Sequence, residues 1–166
     1  GGGNAAKVLQ NTNLKLTNPM VKKSVYAGGN GTTANVVGNT NLNIEARTTV
    51  LKHVFGGGNA APTGTSEVNN SNSLVNISGA NISGNVYGGA NTSVLYGITT
   101  LNIGSNVVTD NTLIKGDINI GGTVFGGGEA NEEGSEVIDF SFISVTKGIT
   151  INIDGLNHNT FTIKGS

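Results

Sequence analysis

The sequence predicts an all-β fold: a single-chain β-solenoid of the right-handed parallel β-helix type, with three short strands in each of about five coils. Three observations predict it: a recurring glycine-rich motif, a recurring apolar–polar–apolar block, and many Gly and Asn residues suited to tight turns. The 166 residues include 27 Gly, 36% are hydrophobic and only 11% are charged. This supply suits a thin core to which each strand contributes one face.

The glycine-rich motif is Val-aromatic-small-Gly-small. It occurs in full at residues 25–29, 54–58, 86–90 and 124–128, and residues 1–4 match its tail. Anchors at 1, 27, 56, 88 and 126 place successive copies 26, 29, 32 and 38 residues apart. That spacing fits one solenoid coil better than a propeller blade, which needs about 40 residues or more and four strands.

Two further blocks lie between the glycine motifs. A short strand signal follows the glycines at residues 7–9, 35–37, 67–68, 93–95 and 136–138. An alternating block occurs at residues 14–16, 42–44, 75–77, 101–103 and 151–153. Period-two alternation points the outer residues of each block inward and the middle residue outward. The extra length of the last two repeats is expected in protruding loops near 105–116 and 131–147.

Stacked coils place equivalent residues in columns. The outward position of the alternating block predicts an amide ladder of Asn43, Asn76, Asn102 and Asn152. Stacked asparagines form such ladders in cross-β structures. A solvated structural ladder is the favoured interpretation, and a polar binding strip is the alternative.

The aromatic residues of the motif predict a second column, formed by Tyr26, Phe55, Tyr87 and Phe125. Facing outward, the column would offer a surface for sugars, whereas stacking at a corner would stabilise coil on coil; the second interpretation is favoured. The glycines that follow are predicted to form tight corners where adjacent coils approach closely. These corner glycines are Gly28, Gly57, Gly89 and Gly127.

Charge and composition argue against several classes of function. The net charge is −1 and the nine Lys and Arg residues are scattered, which argues against a nucleic-acid partner. No apolar run approaches the roughly 18 residues of a membrane span, so no membrane insertion is expected. The absence of Cys excludes disulfides and thiolate metal sites. The chain begins and ends within repeats, which suggests a segment of a longer protein.

Catalytic patterns are sparse. His53 and His158 are far apart in sequence, and no Ser-His-Asp arrangement or metal-ligand spacing is evident. The one acidic cluster comprises Glu129, Glu132, Glu133, Glu136 and Asp139. A solvated loop is favoured there over a Ca²⁺ site, because no established calcium-loop spacing is present. The sequence therefore predicts a protein that is not an enzyme, with no cofactor or metal.

The motif Val-Tyr/Phe-Gly-Gly-Gly-Asn, with Asn-Thr-x-Leu-x-Ile, resembles the repeats of very large bacterial cell-surface proteins of the adhesin-like family. The matching residues are 54–59, 39–44 and 86–91. The resemblance implies an extracellular β-solenoid stalk on a bacterial cell surface. Glu129 in the Asn position and the long last repeats depart from the pattern.

These observations favour a non-enzymatic structural or adhesive segment, a stalk or display scaffold, whose partner would be a host or environmental glycan or protein. One alternative is a carbohydrate-binding or carbohydrate-processing β-helix, including a phage fibre. Another is a filament subunit that associates end to end, because neither end carries a polar cap.

Overall fold

The structure, a computed structural model, describes residues 1–65, 71–104 and 110–129, together with the backbone of strands 133–139 and 158–164. Every helix or strand among these residues is a β-strand. The strands are β1 Thr12–Leu16, β2 Met20–Val21, β3 Val25–Tyr26, β4 Thr40–Ile44, β5 Thr48–Val50, β6 Val54–Phe55, β7 Ser73–Ile77, β8 Ala80–Ile82, β9 Val86–Tyr87, β10 Tyr96–Ile103, β11 Ile118–Ile120, β12 Val124–Phe125, β13 Glu133–Asp139 and β14 His158–Lys164. The predicted all-β class is confirmed.

The strands form three parallel sheets, each built from one strand of every successive coil. The first sheet has the order β1-β4-β7-β10-β13-β14, the second β11-β8-β5-β2 and the third β12-β9-β6-β3. Equivalent strands pair in register, so that Leu42 of β4 lies between Leu14 and Val75. Parallel, in-register stacking of short strands from successive coils is the geometry of a β-solenoid, and it confirms the predicted parallel β-solenoid.

The core is a thin column between the three sheets. It contains Leu42 and Ile44 from the first sheet, Val50 from the second and Val54 from the third, all fully buried. Burial of each such side chain contributes roughly 1.5–3 kcal/mol relative to exposure. Because these residues repeat in each coil, the core is continuous along the stack.

A row of hydroxyl side chains crosses the first sheet at the beginning of β1, β4 and β7 and at the equivalent position of β10, and it connects the sheet to the glycine corners. The Oγ1 of Thr12 donates to the Ala27 carbonyl at 2.8 Å, and the hydroxyls of Ser73 and Thr99 donate to the equivalent carbonyls of later coils, each at 2.7 Å. Thr40 occupies the same column, and its buried Oγ1 has no hydrogen-bond partner among the described residues. One row thus contains both satisfied and unsatisfied hydroxyls.

Three strands per coil were predicted correctly, but one of the three was assigned to the wrong segment. In the first four coils the signal after the glycines forms only isolated bridges, which link Val8, Val36, Thr63 and Leu95 in turn. The bridge of the third coil is at Thr63, and the predicted residues 67–68 lie outside the described residues. The third strand is instead the second-sheet strand that precedes the Val-aromatic motif.

The missed strand does leave a signal in the sequence. Val21, Val50, Ile82 and Ile120 form one column of the second sheet. Each lies four residues before the Val of a Val-aromatic motif. A branched aliphatic residue at a constant distance from the Val-aromatic motif indicates a side chain that faces the core. Strands of two or three residues are too short, however, to show an apolar–polar alternation.

The last repeat was also aligned wrongly. Strand β13 follows β10 in the first sheet and pairs Leu101 with Ile138 and Asn102 with Asp139. Ile138 and Asp139 therefore occupy the places predicted for Ile151 and Asn152, and part of the expected loop at 131–147 is a strand. Ile138 lies 12 residues after Gly126, close to the 13 that separate Gly88 from Leu101, whereas Ile151 lies 25 after it. Residues 151–153 lie outside the described residues.

Candidate functional site

The aromatic column is a continuous stack. Adjacent rings of Tyr26, Phe55, Tyr87 and Phe125 have centroids 5.0, 4.6 and 4.7 Å apart and are nearly parallel, with interplanar angles of 7°, 3° and 5°. The neighbouring valines face the core, so alternation turns the rings away from it. Even so, Phe55 is 2% and Tyr87 6% exposed. The two central rings therefore present no open face to a sugar.

The corner glycines allow close contact between coils. The N–H of Gly28 donates to the Gly57 carbonyl, and that of Gly57 to the Gly89 carbonyl, both at 2.9 Å; the row ends with Gly89 and Gly127 at 3.2 Å. A Cβ atom at Gly28 would lie 2.6 Å from the Gly58 nitrogen, and one at Gly57 2.7 Å from the Ala90 Cβ. These positions have no room for a side chain.

Three of the four predicted ladder residues form a hydrogen-bonded row. The Asn76 amide donates to Asn43 Oδ1 at 2.9 Å, and the Asn102 amide donates to Asn76 Oδ1 at 2.8 Å. Lys15 is opposite Asn43 in the register, and Asp139 rather than Asn152 is opposite Asn102. Asn152 lies outside the described residues.

A second amide ladder was not predicted. It connects Asn4, Asn30, Asn59 and Asn91 through side-chain hydrogen bonds of 2.8, 2.8 and 2.9 Å. These residues end the Gly-Gly-Asn tail of the motif, so the signal was present in the sequence. Two rows of linked amides thus run along the stack in addition to the backbone ladders.

Other polar side chains bond to the backbone of the next coil. Asn11, Asn39 and Asn72 each accept a backbone N–H through Oδ1 at 2.8–2.9 Å. His53 accepts the Asn85 N–H through Nδ1 at 2.9 Å, and its ring packs edge-on against Phe55 and Tyr87. His53 therefore has a structural role in this arrangement. The side chain of His158 lies outside the described residues.

Residues 110–116 are the described part of the insertion predicted at 105–116, and Asp117 follows them directly. They fold back onto the corner between the first and second sheets rather than simply protruding. The Ile114 carbonyl accepts the Ala46 N–H at 2.9 Å and the Ser78 hydroxyl at 3.0 Å, and the Gly116 N–H donates to the Ser78 carbonyl at 2.9 Å. Leu113 is 4% exposed. We call residues 110–117 the docked segment.

A buried carboxylate lies beside the docked segment. Glu45 is fully buried; its Oε1 is 2.6 Å from Lys15 Nζ, and its Oε2 accepts the Thr17 hydroxyl at 2.6 Å. Burial acts to raise the pKa of Glu45, but the hydrogen bonds from Lys15, Thr17 and the Ile114 backbone, with the charge of Lys15, lower it below its ordinary value. The carboxylate is therefore ionised and links the first two coils to the docked segment.

A polar groove of about 410 Å³ lies on the outer face of the first sheet, at one side of the docked segment. We call it the amide groove; its lining residues are Asn13, Asn41, Asn43, Leu74, Asn76, Asn102 and Asp110. The hydroxyl and backbone N–H of Thr112 hold the pKa of Asp110 below its ordinary value. Each side-chain amide has two N–H donors and two acceptor lone pairs. The ladder uses one of each, so one N–H and one lone pair remain for a ligand.

A second, larger groove of about 570 Å³ lies on the other side of the docked segment, against the second sheet. We call it the basic groove. Arg47 and Lys115 line it together with Asp117, while Thr49, Asn81 and Asn119 supply neutral polar groups. No sequence pattern marks these residues, because only the docking of a distant segment brings Lys115 close to Arg47.

The predicted acidic cluster falls mostly outside the described side chains. Glu129 is exposed, and nothing is described for the side chains of the other four members. Within the described residues, no three His, Cys, Asp or Glu residues are grouped so as to hold a metal ion. The same residues include no helix of the length and apolarity needed to cross a membrane.

Comparison with protein-family models, with curated proteins and with solved structures finds no match to this chain.

Proposed function

We propose that this chain is a non-enzymatic structural or adhesive segment of a bacterial surface protein, acting as a stalk or display scaffold. The observation that carries the proposal is the set of uninterrupted columns along the stack: backbone ladders, an aromatic stack and two amide ladders. Each coil is bonded to the next over most of its circumference. A rod built in this way keeps its length and resists local unfolding and proteolysis.

The scaffold proposal is tested by locating the segment on cells. Antibodies raised against this chain should label intact source cells, and brief external proteolysis that severs exposed linkers should release a fragment containing the segment. Labelling confined to permeabilised cells would contradict the proposal. A cytoplasmic protein of the same cells, probed in parallel, controls for leakage.

A second candidate function is carbohydrate binding, favoured by the amide groove rather than by the buried aromatic stack. Its floor combines amides that have spare hydrogen-bonding groups with the apolar side chain of Leu74. On a glycan array, Asn76→Leu should abolish binding of neutral glycans, whereas Asn59→Leu in the second amide ladder should not. Absence of binding by the unsubstituted chain would reject this function.

A further inference from the structure

We propose that the basic groove binds a carboxylated oligosaccharide, a uronic acid oligomer. This site is separate from the amide groove and does not depend on the scaffold proposal. The groove lies between the docked segment and the outer face of the second sheet, and its volume of about 570 Å³ is large enough for a small ligand.

The charges in the groove favour a carboxylate. Arg47 and Lys115 line it, and neither side chain has an ion pair or a side-chain hydrogen bond among the described residues. Asp117 is the one acidic residue of the lining, so the groove carries a net positive charge on a chain whose overall charge is −1. A guanidinium binds a carboxylate through two parallel hydrogen bonds, and an ammonium adds a compact point charge.

The backbone conformation of Arg47 is an independent observation. Arg47 has a φ of 66°, in the left-handed region that favours Gly and Asn. The preceding coil places Asn18 at the equivalent corner with a φ of 61°. For an arginine, this conformation costs about 1–2 kcal/mol. The only arginine of the chain therefore occupies a site where Asn would be more stable, so Arg47→Asn removes the charge without straining the backbone.

The neutral groups of the groove suit the hydroxyls of a sugar chain. Thr49, Asn81 and Asn119 are register partners on adjacent strands of the second sheet. Asn119 donates to Asn81 Oδ1 at 3.3 Å, which leaves further amide groups free for a ligand. Adjacent strands are about 4.8 Å apart, close to the length of one pyranose ring. A row of polar groups at this interval can follow successive sugars while the cations bind their carboxylates.

The test is titration calorimetry of the whole chain with a uronic acid tetramer, beside the matching neutral tetramer. We expect the acidic tetramer to bind, and its binding to weaken as salt is raised. Arg47→Asn should reduce affinity about tenfold or more, because a bidentate charged contact is lost. The same variant should melt at an equal or higher temperature, since Asn accepts the left-handed conformation. Lys52→Gln, outside the groove, should leave both measurements unchanged.

Several outcomes would overturn the proposal. One is the absence of binding of the acidic tetramer at millimolar concentration; another is affinity unchanged by Arg47→Asn. Equal affinity for inorganic phosphate would show a simple anion site, and equal affinity for anionic lipid vesicles would show a surface for another class of partner. None of these results would bear on the surface location that the scaffold proposal requires.

Discussion

The second and third coils, residues 27–87, are held by different contacts from the docked segment of the fourth coil. In these two regular coils every column recurs: Phe55 stacks on Tyr87, and Asn59 bonds to Asn30 and Asn91. The docked segment has no counterpart in the other described coils. It is held by contacts that occur once, from the Ile114 carbonyl to the Ala46 N–H and the Ser78 hydroxyl.

The difference shows where this molecule departs from its own repeat. At the corner after the first sheet, the second coil has Glu45 and Arg47, and the third has Ser78. All three lie at or beside the docked segment. The regular columns support the rod, whereas the irregular corner residues position an insertion whose residues help to line both grooves. Specific recognition is therefore expected at the departures from the repeat.

The largest expected effect comes from truncating the aromatic stack within the regular coils. Phe55→Ala removes a ring that is 2% exposed and stacked on both sides, and should destabilise the chain by about 3–5 kcal/mol. Phe125→Ala, which removes a half-buried ring stacked on Tyr87 alone among the described residues, should cost about half as much. Denaturant unfolding measures both. Equal losses would mean that the interior and the end of the stack are equally well packed.

Truncation of Leu113 tests whether the docked segment opens independently of the regular coils. Leu113 is 4% exposed and is the buried apolar residue of that segment. Leu113→Ala should cost about 2 kcal/mol, near the lower limit for such substitutions, because the segment can partly collapse onto the gap. Hydrogen exchange should then accelerate at the Gly116 N–H but not at the Gly57 N–H. Uniform acceleration along the chain would show that docking and stacking are one cooperative unit.

The row of buried hydroxyls offers a matched pair with opposite expectations. Thr99→Val removes a donor to the Gly126 carbonyl and should destabilise the chain by about 1–2 kcal/mol. Thr40→Val removes a buried hydroxyl that has no partner among the described residues, and should be neutral or stabilising by up to about 1 kcal/mol. Thermal melting of the two variants measures both changes in stability. Destabilisation of both by the same amount would contradict the assignment.

The smallest expected effect is a pH dependence that originates at Glu45. Its pKa is lower in the folded chain than its ordinary value of 4.5, so its stabilising contribution is complete above that value and is lost as the pH falls through the lower folded pKa. Glu45→Gln should therefore reduce the loss of stability on acidification below pH 4.5. Glu129→Gln, at an exposed carboxylate outside the docked segment, serves as the control. Identical pH profiles for Glu45→Gln and the unsubstituted chain would contradict the role of the ion pair.

Much of the fold could be predicted because the repeat displays it several times. The motifs at Val54 and Val86 anchor the coils, and alternation at Leu42–Ile44 and Val75–Ile77 identifies the inward residues. Errors arose where a signal was short or the spacing changed. The two- and three-residue strands of the second sheet show no alternation, and residues 136–138 were aligned with the wrong block because the repeat length varies.

The sequence by itself determined the class, the parallel stacking and the residues that share a column, because local periodicity decides which side chains face together. Only the tertiary structure decided that the two central aromatic rings are buried outside the central core, that residues 110–117 dock, and that Arg47 and Lys115 line one groove. These features depend on contacts between segments tens of residues apart. Such contacts do not recur at a fixed spacing in the sequence, so no repeated pattern predicts them.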